Sequence, residues 1–207
     1  MSNKPFSLIE DKLDESRFFL SKMISSGDNV IEFRYYFSAY VSACRSVTFV
    51  LQAVMKGVPG FAEWYSEKQN QLNQNLLARF FVERRNETLK EGENQIHSHI
   101  FAQTEDGRKL AEYFFERSGS RETINFNEDV VTSSSRYLGI LMVLVSECKS
   151  RFSKSIDPLS LLTLESMQAG NITLEDIEEM LGYPRGWTAD LPSDDRLRLL
   201  KNYYIKD

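Results

Sequence analysis

Val30-Ile31-Glu32-Phe33-Arg34-Tyr35-Tyr36-Phe37-Ser38-Ala39-Tyr40-Val41-Ser42-Ala43-Cys44-Arg45-Ser46-Val47-Thr48-Phe49-Val50-Leu51-Gln52-Ala53-Val54-Met55-Lys56 runs for 27 residues without Gly or Pro. Phe33, Phe37, Tyr40, Val41, Cys44, Val47, Thr48, Leu51 and Met55 recur at the helical period and form one apolar stripe. Tyr36, Ala39, Ala43, Val47, Val50 and Val54 form a second stripe beside it. A helix that is apolar over most of its circumference must be surrounded by other elements, so this one is central. Gly57 and Pro59 end it.

Upstream, Leu8, Ile9, Leu13, Phe18, Phe19, Leu20 and Met23 mark a first helix, closed by the turn residues Ser25-Ser26-Gly27-Asp28. Downstream, Phe61 to Tyr65 leads into a third long helix from about Ser66 to Lys90, with Gly92 placed as its C-terminal cap. The period then changes. Gln95 to Gln103 alternates, with Ile96, Ser98 and Ile100 on one side and His97, His99 and Phe101 on the other, which predicts a strand. Asp106-Gly107 supplies a hairpin turn. Lys109 to Glu116 and Arg121 to Phe126 read as further strands, although Leu110 to Arg117 also suits a helix.

Asp129 to Phe152 returns to helical spacing as the fourth long helix, and Ser153 to Pro158 reads as a linker. Two shorter helices follow at Leu159 to Gln168 and Leu174 to Leu181, the second opened by Thr173 and Asp176 in capping-box positions. Asp194 to Asp207 is an amphipathic tail helix. The expected fold is mainly α: an up-and-down bundle of four long helices spanning 1–153, with a small β-hairpin or meander insert at about 95–127 and a short helical C-terminal extension over 154–207.

With 207 residues, 42% hydrophobic and 27% charged, the chain has the make-up of an ordinary globular protein. Its net charge of −5 argues against non-specific coating of nucleic acid. The N-terminus lacks an uninterrupted apolar signal core, and the longest apolar run, Leu138 to Val145, is too short to cross a bilayer. The expectation is a cytoplasmic protein with no membrane association, whose Cys44 and Cys148 are buried free thiols.

The chemistry-bearing stretch is Arg79-Phe80-Phe81-Val82-Glu83-Arg84-Arg85-Asn86-Glu87-Thr88-Leu89-Lys90-Glu91-Gly92. Extending the stripe Ala78, Phe81, Val82 by one turn reaches Arg85, a guanidinium on a core-facing face that must find a carboxylate, a carbonyl or a ligand. On the central helix, Arg34 and Arg45 flank Ser38 and Ser42 on one face and call for acidic partners. Two arrangements are open. In one, Glu83 or Glu87 pairs with Arg45 and locks two helices in register. In the other, Arg45, Arg84 and Arg85 share an anion site suited to a phosphodiester.

The small-residue helix Ser38-Ala39-Tyr40-Val41-Ser42-Ala43-Cys44-Arg45-Ser46, followed by a helix ending in Arg85-Asn86, resembles the HEPN superfamily and the uncharacterised bacterial proteins that share this helix pair. The resemblance implies a homodimer with RNA or a protein as partner, in a stress or phage-defence setting. Many members are metal-independent endoribonucleases of toxin–antitoxin and related defence systems with the motif R-N-x-x-x-H. Here the string is Arg85-Asn86-Glu87-Thr88-Leu89-Lys90, so Lys90 stands where the histidine belongs. A lysine stays protonated at neutral pH and cannot exchange a proton as an imidazole does. The resemblance therefore implies a non-catalytic interaction or nucleic-acid-associated protein first. Its alternative is a ribonuclease in which Arg85 stabilises the phosphate, Asn86 positions it, and Lys90 or His97 takes the remaining role.

His97 and His99 share a strand face with no Asp, Glu or Cys at ligand spacing, so solvent-facing histidines are expected and no metal site is assigned. Trp64-Tyr65 and Phe80-Phe81 have the spacing of core aromatics as well as of a base-stacking platform. The sequence holds no phosphate-binding, dinucleotide or nucleophile-elbow motif, so no cofactor is expected.

Overall fold

A computed structural model describes residues 5–91, 96–105, 107, 109–115, 128–156 and 162–204. The chain divides into two compact units, Met1–Glu147 and Cys148–Asp207. The architecture is mainly helical, with one small antiparallel sheet and a short C-terminal helical region.

The first unit opens with α1 (Ser7–Ser25) and α2 (Val30–Val54). The Asn29 side chain accepts from the Glu32 N–H and starts α2, satisfying one donor that the first turn leaves orphaned. α1 lays Ile9, Leu13 and Met23 against α2. Every residue of the first α2 stripe is buried, and the second stripe is buried or half-buried, so the helix is central as its sequence requires. Among the described residues α2 is also the helix long and apolar enough to cross a membrane, and half of its most apolar window is covered by the fold itself.

The third long helix of the sequence reading is two helices, α3 (Phe61–Gln74) and α4 (Leu76–Glu91). Asn75 makes the break. Its extended backbone ends α3, and its Oδ1 accepts from the Ala78 N–H at 3.0 Å to start α4. An asparagine offers the backbone a local hydrogen bond that competes with helix continuation. Among the described residues the first unit thus draws on five helices of 14 to 25 residues.

β1 (Ile96–Gln103) and β2 (Lys109–Phe115) pair antiparallel from Ile96 with Phe115 to Gln103 with Lys109, with a bulge between Ile100 and Ala102. The segment from Leu110 is therefore strand and not helix. Its cross-strand partners and the stacking of Tyr113 on Phe33, with ring centroids 3.6 Å apart, outweigh its helical propensity. Gly92 and the proposed strand Arg121 to Phe126 lie outside the described residues.

α5 (Val130–Arg151) returns to the aromatic cluster. Tyr137 stacks on Phe81 at 4.5 Å, and the Tyr40 hydroxyl donates to the Ser134 carbonyl at 2.6 Å. Phe80 meets Phe115 edge-on at 4.7 Å, and Phe37 meets it at 5.5 Å. Trp64, Tyr65, Phe80 and Phe81 are all buried, as core aromatics.

In the second unit, Ser153–Ile156 is a short helix, α6, where a linker was expected. α7 (Leu164–Ala169) starts later than the expected Leu159, because Thr163 is extended and forms a capping box with Ser166. α8 (Leu174–Met180) starts at the anticipated Thr173–Asp176 box, and α9 is Ser193–Tyr204. Met167, Leu174, Ile177, Leu197 and Leu200 make the core of this unit.

Candidate functional site

The end of α4 carries the residues that the sequence singles out. After the break at Asn75 the buried face of α4 runs through Leu77, Phe80, Phe81 and Arg84, so the core-facing guanidinium is that of Arg84. Its Nη1 pairs with Glu87 Oε2 at 3.1 Å, and its plane lies over the Phe80 and Phe115 rings at 5.0 and 5.5 Å. Two neighbouring rings and a carboxylate at the tip stabilise a charge that the interior would otherwise penalise.

Arg85 is half-buried. Its Nη1 donates to Asn86 Oδ1 at 3.2 Å, and its buried Nε lacks a hydrogen-bond partner among the described residues. Asn86 is exposed. Lys90 belongs to α4, and its side chain lies outside the described residues.

Arg45 does not pair with Glu83 or Glu87. Its Nη1 donates to Thr48 Oγ1 at 3.4 Å, and its guanidinium lies 4.4 Å over the Phe49 ring. Burial pushes the Tyr65 and Tyr137 phenols up, and the nearby Arg45 charge offsets part of that rise. Burial likewise pushes the Cys44 thiol up to about 11, which leaves it protonated and inert. Arg34, expected to need an acid, donates through Nε and Nη2 to the Ile96 carbonyl. A carbonyl at a strand edge serves an arginine well, since it accepts two donors of the planar fork.

His97 and His99 are exposed on β1, and His97 stacks on Phe114 at 5.9 Å. Among the described residues no group of three or more His, Cys, Asp or Glu is placed to hold a metal ion. The geometry brings Arg84, Arg85 and Asn86 together at one helix end, with Arg45 engaged by its own partners on α2.

Sequence reasoning overlooked two features. The first is the exposure of the outer part of the predicted hairpin. Ile96 and Tyr113 are buried at its base, whereas Ile100, Phe101 and Leu110 are 49%, 54% and 43% exposed further out. The second is the carboxylate of Glu178, fully buried in the second unit. It accepts from the Thr188 N–H at 2.9 Å, from Arg196 Nη2 at 3.1 Å, and from the Thr188 hydroxyl and the Gly186 N–H. Burial alone would raise its pKa, but the bonds from Thr188, Arg196 and Gly186 outweigh that and hold it at about 2. It thereby fixes the loop that presents the stacked Tyr183 and Trp187 rings, 4.3 Å apart. Arg196, on the amphipathic tail helix, is its buried counter-ion.

Compared with known proteins, the chain matches the model of the bacteriophage lambda protein ea47 family over residues 2–117. No curated protein and no solved structure matches it. The matched span covers α1 through β2, including the helix pair and the Arg85-Asn86 string on which the HEPN resemblance was based, and it assigns them to a different family. That resemblance is overturned: a helix pair with small residues on one face and a two-residue string are too general to identify a superfamily. With more than half of its length matched, the chain belongs to the bacteriophage lambda ea47 family.

Proposed function

We propose that this phage-type helical protein is a non-catalytic interaction protein of the cytoplasm, acting by docking and not by bond chemistry. The observation that carries the proposal is the hairpin arm. Its base is held by the Phe33–Tyr113 stack, by the Tyr113 hydroxyl donating to the Gly27 carbonyl at 2.8 Å, and by Arg34 on the Ile96 carbonyl. A fixed base makes the arm rigid, and its outer part offers three large apolar side chains to a partner. Apolar residues exposed on a rigid projection lose little conformational entropy on binding, and large exposed apolar side chains suit an interaction surface. The arginines bear on the same choice. Arg34, Arg45 and Arg84 are engaged by a carbonyl, a threonine with a ring, and a carboxylate with two rings, which weakens the case for a shared phosphodiester site. Buried free thiols at Cys44 and Cys148 suit a reducing compartment.

The test places a photo-crosslinking phenylalanine analogue at position 101 of the full chain in bacterial cells, with the exposed α1 residue Asp11 as control position. A protein adduct of one discrete mass at 101, absent at 11 and lost in Leu110→Ser, is expected. No adduct at 101 would overturn the proposal. So would EDTA-resistant cleavage of labelled single-stranded RNA by the purified chain that disappears in Arg85→Ala at unchanged melting temperature.

A further inference from the structure

We infer that the stacked Tyr183–Trp187 pair of the second unit is a docking platform for a basic peptide segment of a partner protein. An arginine or lysine side chain seats on the exposed part of Trp187, and the carboxylates of the same stretch attract the charges beside it. The inference goes beyond the docking arm of the first unit and does not depend on it.

Both rings hang on one residue. The Tyr183 N–H donates to the Glu178 carbonyl at 2.8 Å, and the Glu178 carboxylate accepts from the Gly186 and Thr188 N–H groups on either side of Trp187. Between them, the Trp187 N–H donates to the Pro184 carbonyl and the Ala189 N–H to the Gly186 carbonyl, both at 3.0 Å. The two rings, nearly parallel at 9°, are thus set in place before any partner arrives, and a preorganised aromatic loses little freedom on binding. A buried carboxylate is a costly way to fix a surface loop, and the ring that this one positions is 44% exposed.

The chemistry around the platform selects a cation. Among side-chain rings the indole attracts ammonium and guanidinium groups most strongly. From Thr173 to Asp195 the chain carries seven carboxylates and one basic residue, Arg185. Arg185 bonds Asp176 and Glu179 at 2.8 Å each, so this surface already holds one guanidinium between carboxylates. Asp190, on the loop just after Trp187, and Asp194 are exposed and add negative charge. A small quaternary amine is recognised by a cage of several rings, whereas this loop offers one exposed indole together with exposed Met180 and Leu191. Apolar side chains of that kind accept the aliphatic stems of lysine and arginine, so the surface suits a linear segment bearing several basic residues.

The experiment titrates the purified full chain into a fluorescein-labelled peptide of repeating Arg-Gly-Lys-Ser and follows its anisotropy, with a peptide carrying Glu at the basic positions as control. Saturable binding of the basic peptide alone is expected. Trp187→Leu should weaken it about tenfold, the size of a partly desolvated cation–π contact. Asp190→Lys, at an exposed position, should weaken it as well at unchanged melting temperature. No binding of the basic peptide overturns the inference. Binding of equal strength in Trp187→Leu also overturns it, since charge alone would then be responsible, and so does displacement by equimolar choline, which would make the platform a small-cation site. If Trp187→Leu lowers the melting temperature, the decision passes to Asp190→Lys and to quenching of Trp187 emission by the peptide in a Trp64→Phe background. Unchanged affinity in the first or unquenched emission in the second overturns the inference. None of these outcomes bears on crosslinking at position 101, so the two readings fail separately.

Discussion

Arg84 and Arg196 are buried to nearly the same degree, 7% and 9% exposed, yet the protein neutralises them by different means. Arg196, in the second unit, reaches Glu175 at 2.7 Å, Glu178 at 3.1 Å and the Thr188 hydroxyl at 2.9 Å. Arg84, in the first, has one partly exposed carboxylate and two aromatic faces. The Arg196 network contains a carboxylate that cannot reach water if its partner is removed, whereas the partner of Arg84 can. Burial of a charge therefore says little about its importance to stability. What counts is whether the partner is buried too.

The comparison is tested hardest by Arg196→Met. It strands the Glu178 carboxylate and should cost about 3–5 kcal/mol, read from the denaturant midpoint of Trp187 fluorescence in a Trp64→Phe background. A loss near 1 kcal/mol would mean that water enters the network and that the two arginines are alike after all. Acid gives the next largest effect. The Glu178 pKa is depressed in the folded state, so its contribution is complete above the ordinary carboxylate value of 4.5 and fades as pH falls towards about 2. The Trp187 signal should accordingly lose stability between those two values, and Glu178→Gln should flatten that slope.

Arg84→Met keeps an apolar stem against Phe80 and Phe115 and frees Glu87 to solvent, so a cost of about 1 kcal/mol is expected. A cost equal to that of Arg196→Met would erase the distinction. Arg85→Ala should change stability by no more than about 0.5 kcal/mol, because its exposed Nη1 contact is weak and its buried Nε has no partner to lose. A drop of several degrees in melting temperature would show that Arg85 holds the helix end after all.

What could be read from the sequence follows the distance over which each cause acts. α2 was legible because Gly57 and Pro59 stop it and its stripe needs only neighbours along one helix. The Thr173–Asp176 capping box was legible because it closes within three residues. Asn75 was not recognised, since the surrounding Gln and Asn residues carry no apolar phase and the periodicity can be drawn through them. That omission had a direct effect on the candidate site. Carrying one helix from Ser66 to Lys90 put Arg85 on the stripe, while the fresh start at Asn75 turns the buried face to Arg84. Arg34 and Ile96 are 62 residues apart, and Glu178 and Arg196 are 18 apart. No local pattern announces either pair. The hairpin was legible from alternation, but the exposure of its arm depends on where Phe33 and Gly27 hold its base.

The same long-range closures bear on how the chain assembles. Tyr40 finds Ser134 across 94 residues and Tyr113 finds Gly27 across 86, whereas α1 and α2 meet through a short turn. Contacts between distant parts of a chain close later and more slowly than local ones. During synthesis the α1–α2 pair can form before α5 has left the ribosome. Until α5 arrives, Phe81 on α4 lacks its stacking partner Tyr137, and Tyr40, on a helix long and apolar enough for a membrane, lacks its Ser134 acceptor. The nascent chain is then a natural client for chaperones, and truncation before α5 should convert a well-behaved protein into an aggregating one.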